Sequence, residues 1–115
     1  MSEERKFEVV QLDELEPTRC PCGWSRRAFA DAGSAASVHL VEILEDARTH
    51  YHKTLTETYL VLEGEGWLEL EGERVPLRPL TTVKILPGCR HRAVGQLKVI
   101  NLVQPVFDPA DEWFD

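Results

Sequence analysis

The 115-residue chain predicts an all-β domain, a sandwich or barrel built of short strands. Apolar side chains recur with period two in short runs rich in β-branched and aromatic residues, and glycine, proline or charged clusters punctuate those runs. No convincing helix of three turns occurs; the best candidates, LDELE (12–16) and PADEWFD (109–115), are short and terminal.

In chain order the strand candidates are VHLVEIL (38–44), ETYLVLEG (57–64), GWLELEGERVPL (66–77), TTVKIL (81–86) and LKVINLV (97–103). Glycines in GEG (64–66), EGE (71–73) and PGCR (87–90) stand where a tight reversal between strands calls for a positive φ. The chain divides into an N-terminal arm of about 1–37, a barrel core of about 38–104 and a tail of about 105–115, all in one domain without repeats or linkers. Successive side chains of a strand point to opposite faces, so Glu57, Tyr59 and Val61 share one face and Thr58, Leu60 and Leu62 the other. Both faces are substantially apolar. The outer one therefore calls for a cover: the N-terminal arm, the acidic-aromatic tail VFDPADEWFD or, in the favoured reading, a second subunit in a homodimer.

Hydrophobic residues at 43% and charged residues at 29% are the balance of a globular protein. A net charge of -7 argues against a nucleic-acid backbone or an anionic membrane as the main partner. No apolar run approaches the roughly 20 residues that span a bilayer, and MSEERKFEVV lacks the apolar stretch of a signal peptide, so a cytoplasmic location is expected. Three cysteines cannot all pair, which suits a reducing compartment. Cys20 and Cys22 with Cys89 could supply thiolates to a metal, but structural zinc sites use wider spacings and a fourth ligand, so buried apolar roles are preferred.

The stretch HYHKTLTE (50–57) carries the chemistry. His50 and His52 differ by two, so an extended backbone sends both imidazoles to one face, while a turn through KTLT returns the chain with Glu57 beside them. His91, after the Pro-Gly turn of LPGCRHR, offers a third ring. Three neutral imidazoles and a carboxylate suit one divalent transition-metal ion: iron, manganese, nickel, copper or zinc. Arg48 has the parity of the two histidines and is a candidate for a carboxylate ligand, although a solvated rim position is the plainer reading; Tyr59 and Val61 complete the substrate-binding candidates. His39 reads as a structural histidine, and Arg90 and Arg92 flank His91 with the opposite parity and point away from it.

The run HYHKTLTETYLVLEGEG resembles the first motif of the cupins, with His50, His52, Glu57 and Gly64 in register, and Pro87, Gly88 and His91 resemble the second. Leu80 stands where that second motif usually opens with glycine, and Gly95 where it often ends with asparagine. The resemblance implies a double-stranded β-helix (jelly-roll-type) barrel with a metal held by His50, His52, Glu57 and His91. It implies a reaction on a small organic molecule, of dioxygenase or decarboxylase type, with Glu57 and Tyr59 as catalytic candidates. A zinc-dependent sugar isomerase, a non-catalytic module for an anion or sugar derivative and a purely structural metal are the other readings. Of these the structural one is weakest, since a barrel of this length folds without an ion.

Overall fold

The computed structural model describes residues 6–20, 23–44 and 46–115. These residues form one antiparallel sheet wrapped into a barrel, with a 3-10 turn at Leu12–Glu14 and, among the described residues, seven strands: β1 Thr18–Cys20, β2 Gly23–Ala28, β3 Ser37–Ile43, β4 Thr56–Leu70, β5 Glu73–Leu77, β6 Thr82–Ile85 and β7 His91–Gln104. The order is β1-β2-β3-β7-β4-β5, with β6 pairing β4. The first half of β4 therefore lies between β6 and β7, and the second half between β5 and β7. Among the described residues, no helix is long and apolar enough to cross a membrane.

Two expectations change. The arm assigned to residues 1–37 contains β1 and β2, and β2 pairs with β3 along its whole length, from Gly23↔Ile43 to Ala28↔Val38. Its inward residues Ser25 and Arg27 are polar, so β2 lacks the apolar alternation by which a strand is recognised. GEG (64–66), expected as a reversal, lies inside β4, and β7 runs from His91 straight through Gly95. Gly66 pairs directly with Gly95, and a Cβ on Gly66 would come within 2.2 Å of the Val94 carbonyl oxygen. A Cβ on Gly64 would meet the Gln96 oxygen at the same distance. These glycines let two long strands cross at close range, next to a register shift between Val61 and Glu63.

The reversals fall at EGE and PGCR. Glu71 and Gly72, both at positive φ, join β4 to β5, and Gly88 at φ 89° lies in the turn before β7. The segment RPLT (78–81) closes a type II turn: the Thr81 N–H donates to the Arg78 carbonyl at 2.9 Å, Pro79 takes the second position, and Leu80 takes the third with φ 77°. Where the related motif has glycine, a leucine sits in the left-handed region. The tail forms no helix; Trp113 pairs in a β-bridge with Tyr51.

Val41, Ile43, Val61, Leu68, Leu77, Ile85, Ala93, Leu97 and Val99 fill the core. Outside the barrel, Leu62 on β4 remains 38% exposed.

Leu80 is 77% exposed, so its side chain contributes little burial to offset a strained backbone. Leu80→Gly is expected to raise unfolding stability by up to about 1 kcal/mol in a denaturant titration; a loss of stability would contradict this account of the turn.

Candidate metal centre

The two motif segments are joined through their backbones. The His50 N–H donates to the His91 carbonyl at 3.1 Å, the His91 N–H donates back to His50 at 2.9 Å, and the Gly88 N–H donates to the His52 carbonyl at 2.7 Å. His50 and His52 leave this ladder on one face, while Tyr51 turns outward beneath the Arg90 guanidinium, 3.7 Å from its ring centroid. After the turn through residues 53–55, β4 begins at Thr56 and places Glu57 opposite the rings.

The ligand atoms of His50, His52 and His91 lie within 4.8 Å of one another. Glu57 Oε1 is 3.3 Å from His52 Nε2 and 3.2 Å from His91 Nε2. Two donors on one first-row ion, each at about 2.0–2.2 Å, lie about 3.0–3.5 Å apart. His52 Nε2, His91 Nε2 and Glu57 Oε1 are buried and make no hydrogen bond. Buried polar atoms normally find partners, so three that converge without one fit a shared cation. The other ring nitrogens are already engaged: Nδ1 of His50 with the Arg48 carbonyl at 3.0 Å, Nδ1 of His52 with the Asp111 carbonyl, and Nδ1 of His91 with the Cys89 carbonyl at 2.9 Å. A carbonyl only accepts, so each Nδ1 carries the proton and each neutral ring keeps its Nε2 lone pair for the ion. The residues present therefore fit a metal of the expected class.

Electrostatics agrees with this arrangement. Burial works against a charged His52 ring, but the facing Glu57 carboxylate and Asp111 outweigh it and push its pKa up to about 9. Burial alone would raise the Glu57 pKa; the rings of His52 and His91 reverse this and hold it well below the usual carboxylate range. His50 is shifted down by burial and by the neighbouring His91. Without an ion, the carboxylate thus draws a proton onto His52 at neutral pH, and a bound cation would take that proton's place. Asn101 Nδ2 donates to Glu57 Oε2 at 2.8 Å, leaving Oε1 for the rings.

The centre opens into a cavity of about 110 Å³ whose lining includes Ser25, Arg27, His39, Tyr59, Asn101 and Phe107. A broader open depression between residues 6–9 and Phe29 contains none of the histidines. Tyr59 lines the cavity, two residues after Glu57 on the same face. Val61 is fully buried in the core, and Val61 pairs with Val99 one rung beyond the Tyr59–Asn101 pair, so it lies behind the lining rather than in it. Arg48 is exposed, with its guanidinium 4.2 Å from the centroid of Phe114, and is not among the lining residues; its backbone carbonyl is what serves the site. Burial and the nearby Arg27 lower the pKa of His39 to about 4, and its Nε2 lies 2.9 Å from the Ser37 hydroxyl. Arg90 and Arg92 point away, toward Asp115 and Glu69. Cys20 is half-buried in the cavity wall, and Cys22 lies outside the described residues.

No protein-family model and no curated protein sequence matches the chain. A crystal structure of a protein from Planctomyces limnophilus is similar with 48% identity and a TM-score of 0.89, covering 93% of this chain and 96% of that one. Streptomyces Pac13, a nucleoside dehydratase, is similar in fold at 21% identity and a TM-score of 0.77, over 94% of this chain and 89% of its own. The chain has the fold of a small single-domain cupin. Ectoine synthase from P. lautus shares the fold at 22% identity and a TM-score of 0.76, covering 90% of this chain and 82% of that one.

One residue at this centre escaped the sequence reading. Asp111, 7% exposed in the tail, accepts the backbone N–H groups of Lys53, Thr54 and Leu55 at 2.9–3.0 Å and the Trp113 Nε1–H at 2.9 Å. Burial would raise its pKa, but these bonds hold it at about 2. The carboxylate thereby fixes the turn between His52 and Glu57, while its own carbonyl orients His52. No spacing motif announces such a latch; it depends on the tail folding back. Asp111→Ala is expected to cost about 2–3 kcal/mol of stability, as several charge-assisted bonds are lost. It is also expected to weaken metal retention at least about tenfold. Unchanged melting and unchanged metal content would contradict the latch.

Proposed function

We propose that this protein is a metal-dependent enzyme acting on a small organic molecule, by an oxygen-dependent cleavage or a decarboxylation. The observation that carries the proposal is the convergence of unpartnered Nε2 and Oε1 atoms at the mouth of a lined cavity. A bound divalent ion would supply Lewis acidity and, if redox-active, the capacity for oxygen chemistry. His50, His52 and His91 would hold it. Glu57 would serve as a fourth donor or as a base toward an acidic substrate proton, with Asn101 keeping its second oxygen occupied. Tyr59 would present its phenol to the substrate, and the apolar side chains of Val41, Ala47 and Phe107 would limit water in the cavity. The proposal includes a cytoplasmic homodimer, joined across the outer face that carries Leu62.

A second reading keeps the centre without a redox step: Pac13, similar in fold, is a nucleoside dehydratase, and removal of water needs no change of oxidation state.

The test is oxygen uptake and carbon dioxide release by protein loaded separately with iron, manganese, nickel, copper and zinc, against a panel of small organic acids, sugars and nucleosides. Turnover with a redox-active ion is expected, falling at least about 100-fold in Glu57→Gln compared at equal metal content. Carbon dioxide release with zinc as well would point to the decarboxylation, loss of water from a nucleoside without oxygen uptake or carbon dioxide release would favour the second reading, and no turnover with any ion would contradict the enzyme.

A further inference from the structure

The inner wall of the barrel carries a polar rung beside the metal centre, and its Arg27 end has no task there. Arg27 on β2 pairs with His39 on β3, His39 with Asn101 on β7, and Asn101 with Tyr59 on β4. All four side chains line the cavity. The next rung, Ser25, Val41, Val99 and Val61, is apolar except for Ser25, which also reaches the cavity. Asn101 is committed to Glu57 and His39 lies against Ser37, but Arg27 makes no ion pair among the described residues. Its guanidinium lies over the Phe107 ring at 4.4 Å, and its Nε is buried without an acceptor. The Ser25 hydroxyl, on the same face of the same strand, is likewise buried and unpartnered.

A buried cationic N–H without an acceptor is costly, and the stacked ring holds the guanidinium at that cost instead of releasing it to water. An anion supplied by a ligand would offset it. We infer that Arg27, assisted by Ser25, anchors the carboxylate of a small acid whose other end reaches the metal position. The chemistry favours a carboxylate over a phosphate: one guanidinium and one hydroxyl serve one negative charge, and no lysine lines the cavity. The size agrees, since 110 Å³ is well below the roughly 300 Å³ at which pockets for drug-sized ligands begin. With a divalent ion in place, the ion and Arg27 face the carboxylates of Glu57 and Glu112 across the same lining, leaving one net positive charge for an acid to neutralise.

This inference rests on the proposed metal centre, and the two are tested separately. Malonate, with a carboxylate at each end, and propanoate, with one, are titrated into zinc-loaded protein, Arg27→Gln and Arg27→Lys, with zinc content and melting recorded for each. Malonate is expected to bind wild type at least tenfold more tightly than propanoate. In Arg27→Gln that preference disappears while zinc content stays the same; in Arg27→Lys part of it returns, which also guards against a folding defect. Retention of the full malonate preference by Arg27→Gln, or tighter binding of inorganic phosphate than of malonate by wild type, would overturn the assignment. If wild type takes up no zinc, the metal reading fails, and the same titration of metal-free protein decides the anchor alone: Arg27-dependent malonate binding upholds it and its absence overturns it.

Discussion

The site depends on the reciprocal backbone pair between His50 and His91. Each N–H donates to the other's carbonyl, so two segments distant in sequence are held at β-bridge spacing, and the Gly88 bond to His52 extends the clasp by one step. Side-chain direction follows from backbone direction in an extended chain. Once the ladder closes, the three rings have no choice but to meet. The bond of each Nδ1 to a carbonyl then settles which nitrogen faces the centre, and the tail completes the arrangement by fixing the turn between His52 and Glu57 through Asp111.

The same wall divides into two layers with different tasks. Val61, Val99 and Val41 form an apolar rung of the core, and directly beside it lie Tyr59, Asn101, His39 and Arg27. Polar residues there remove several side chains from the hydrophobic core of a small protein and leave buried donors and acceptors unsatisfied. The core compensates along the second half of β4 and its partners, where Leu68, Leu77, Ala93 and Leu97 are almost completely enclosed. Local rules of folding are broken where binding would occur and kept elsewhere.

That division explains what could be read from the sequence. The strands of the apolar layer were legible from alternation, and His50, His52, Glu57 and His91 from spacing, because a metal centre requires particular residue types at particular intervals. β2 was not legible, since Ser25 and Arg27 face the cavity and erase the apolar period. Gly64 and Gly66 misled in the opposite direction: a glycine needed for close approach of two strands has the same letter as one needed for a turn. Leu80 hid a true turn behind a residue that disfavours the required φ. Asp111 depends on a chain reversal that brings residues 53–55 and 111 together, and no local pattern encodes it.

The most direct test of the central claim is the metal content of protein purified without a chelator, measured for wild type, His50→Ala, His91→Ala and, as an internal control in the same barrel, His39→Ala. About one divalent transition-metal ion per chain in wild type and in His39→Ala, with loss in the other two, is the result that the convergent donor set predicts. Retention of the ion after removal of His50 and His91, or failure of the wild type to bind any ion after reconstitution, would contradict it.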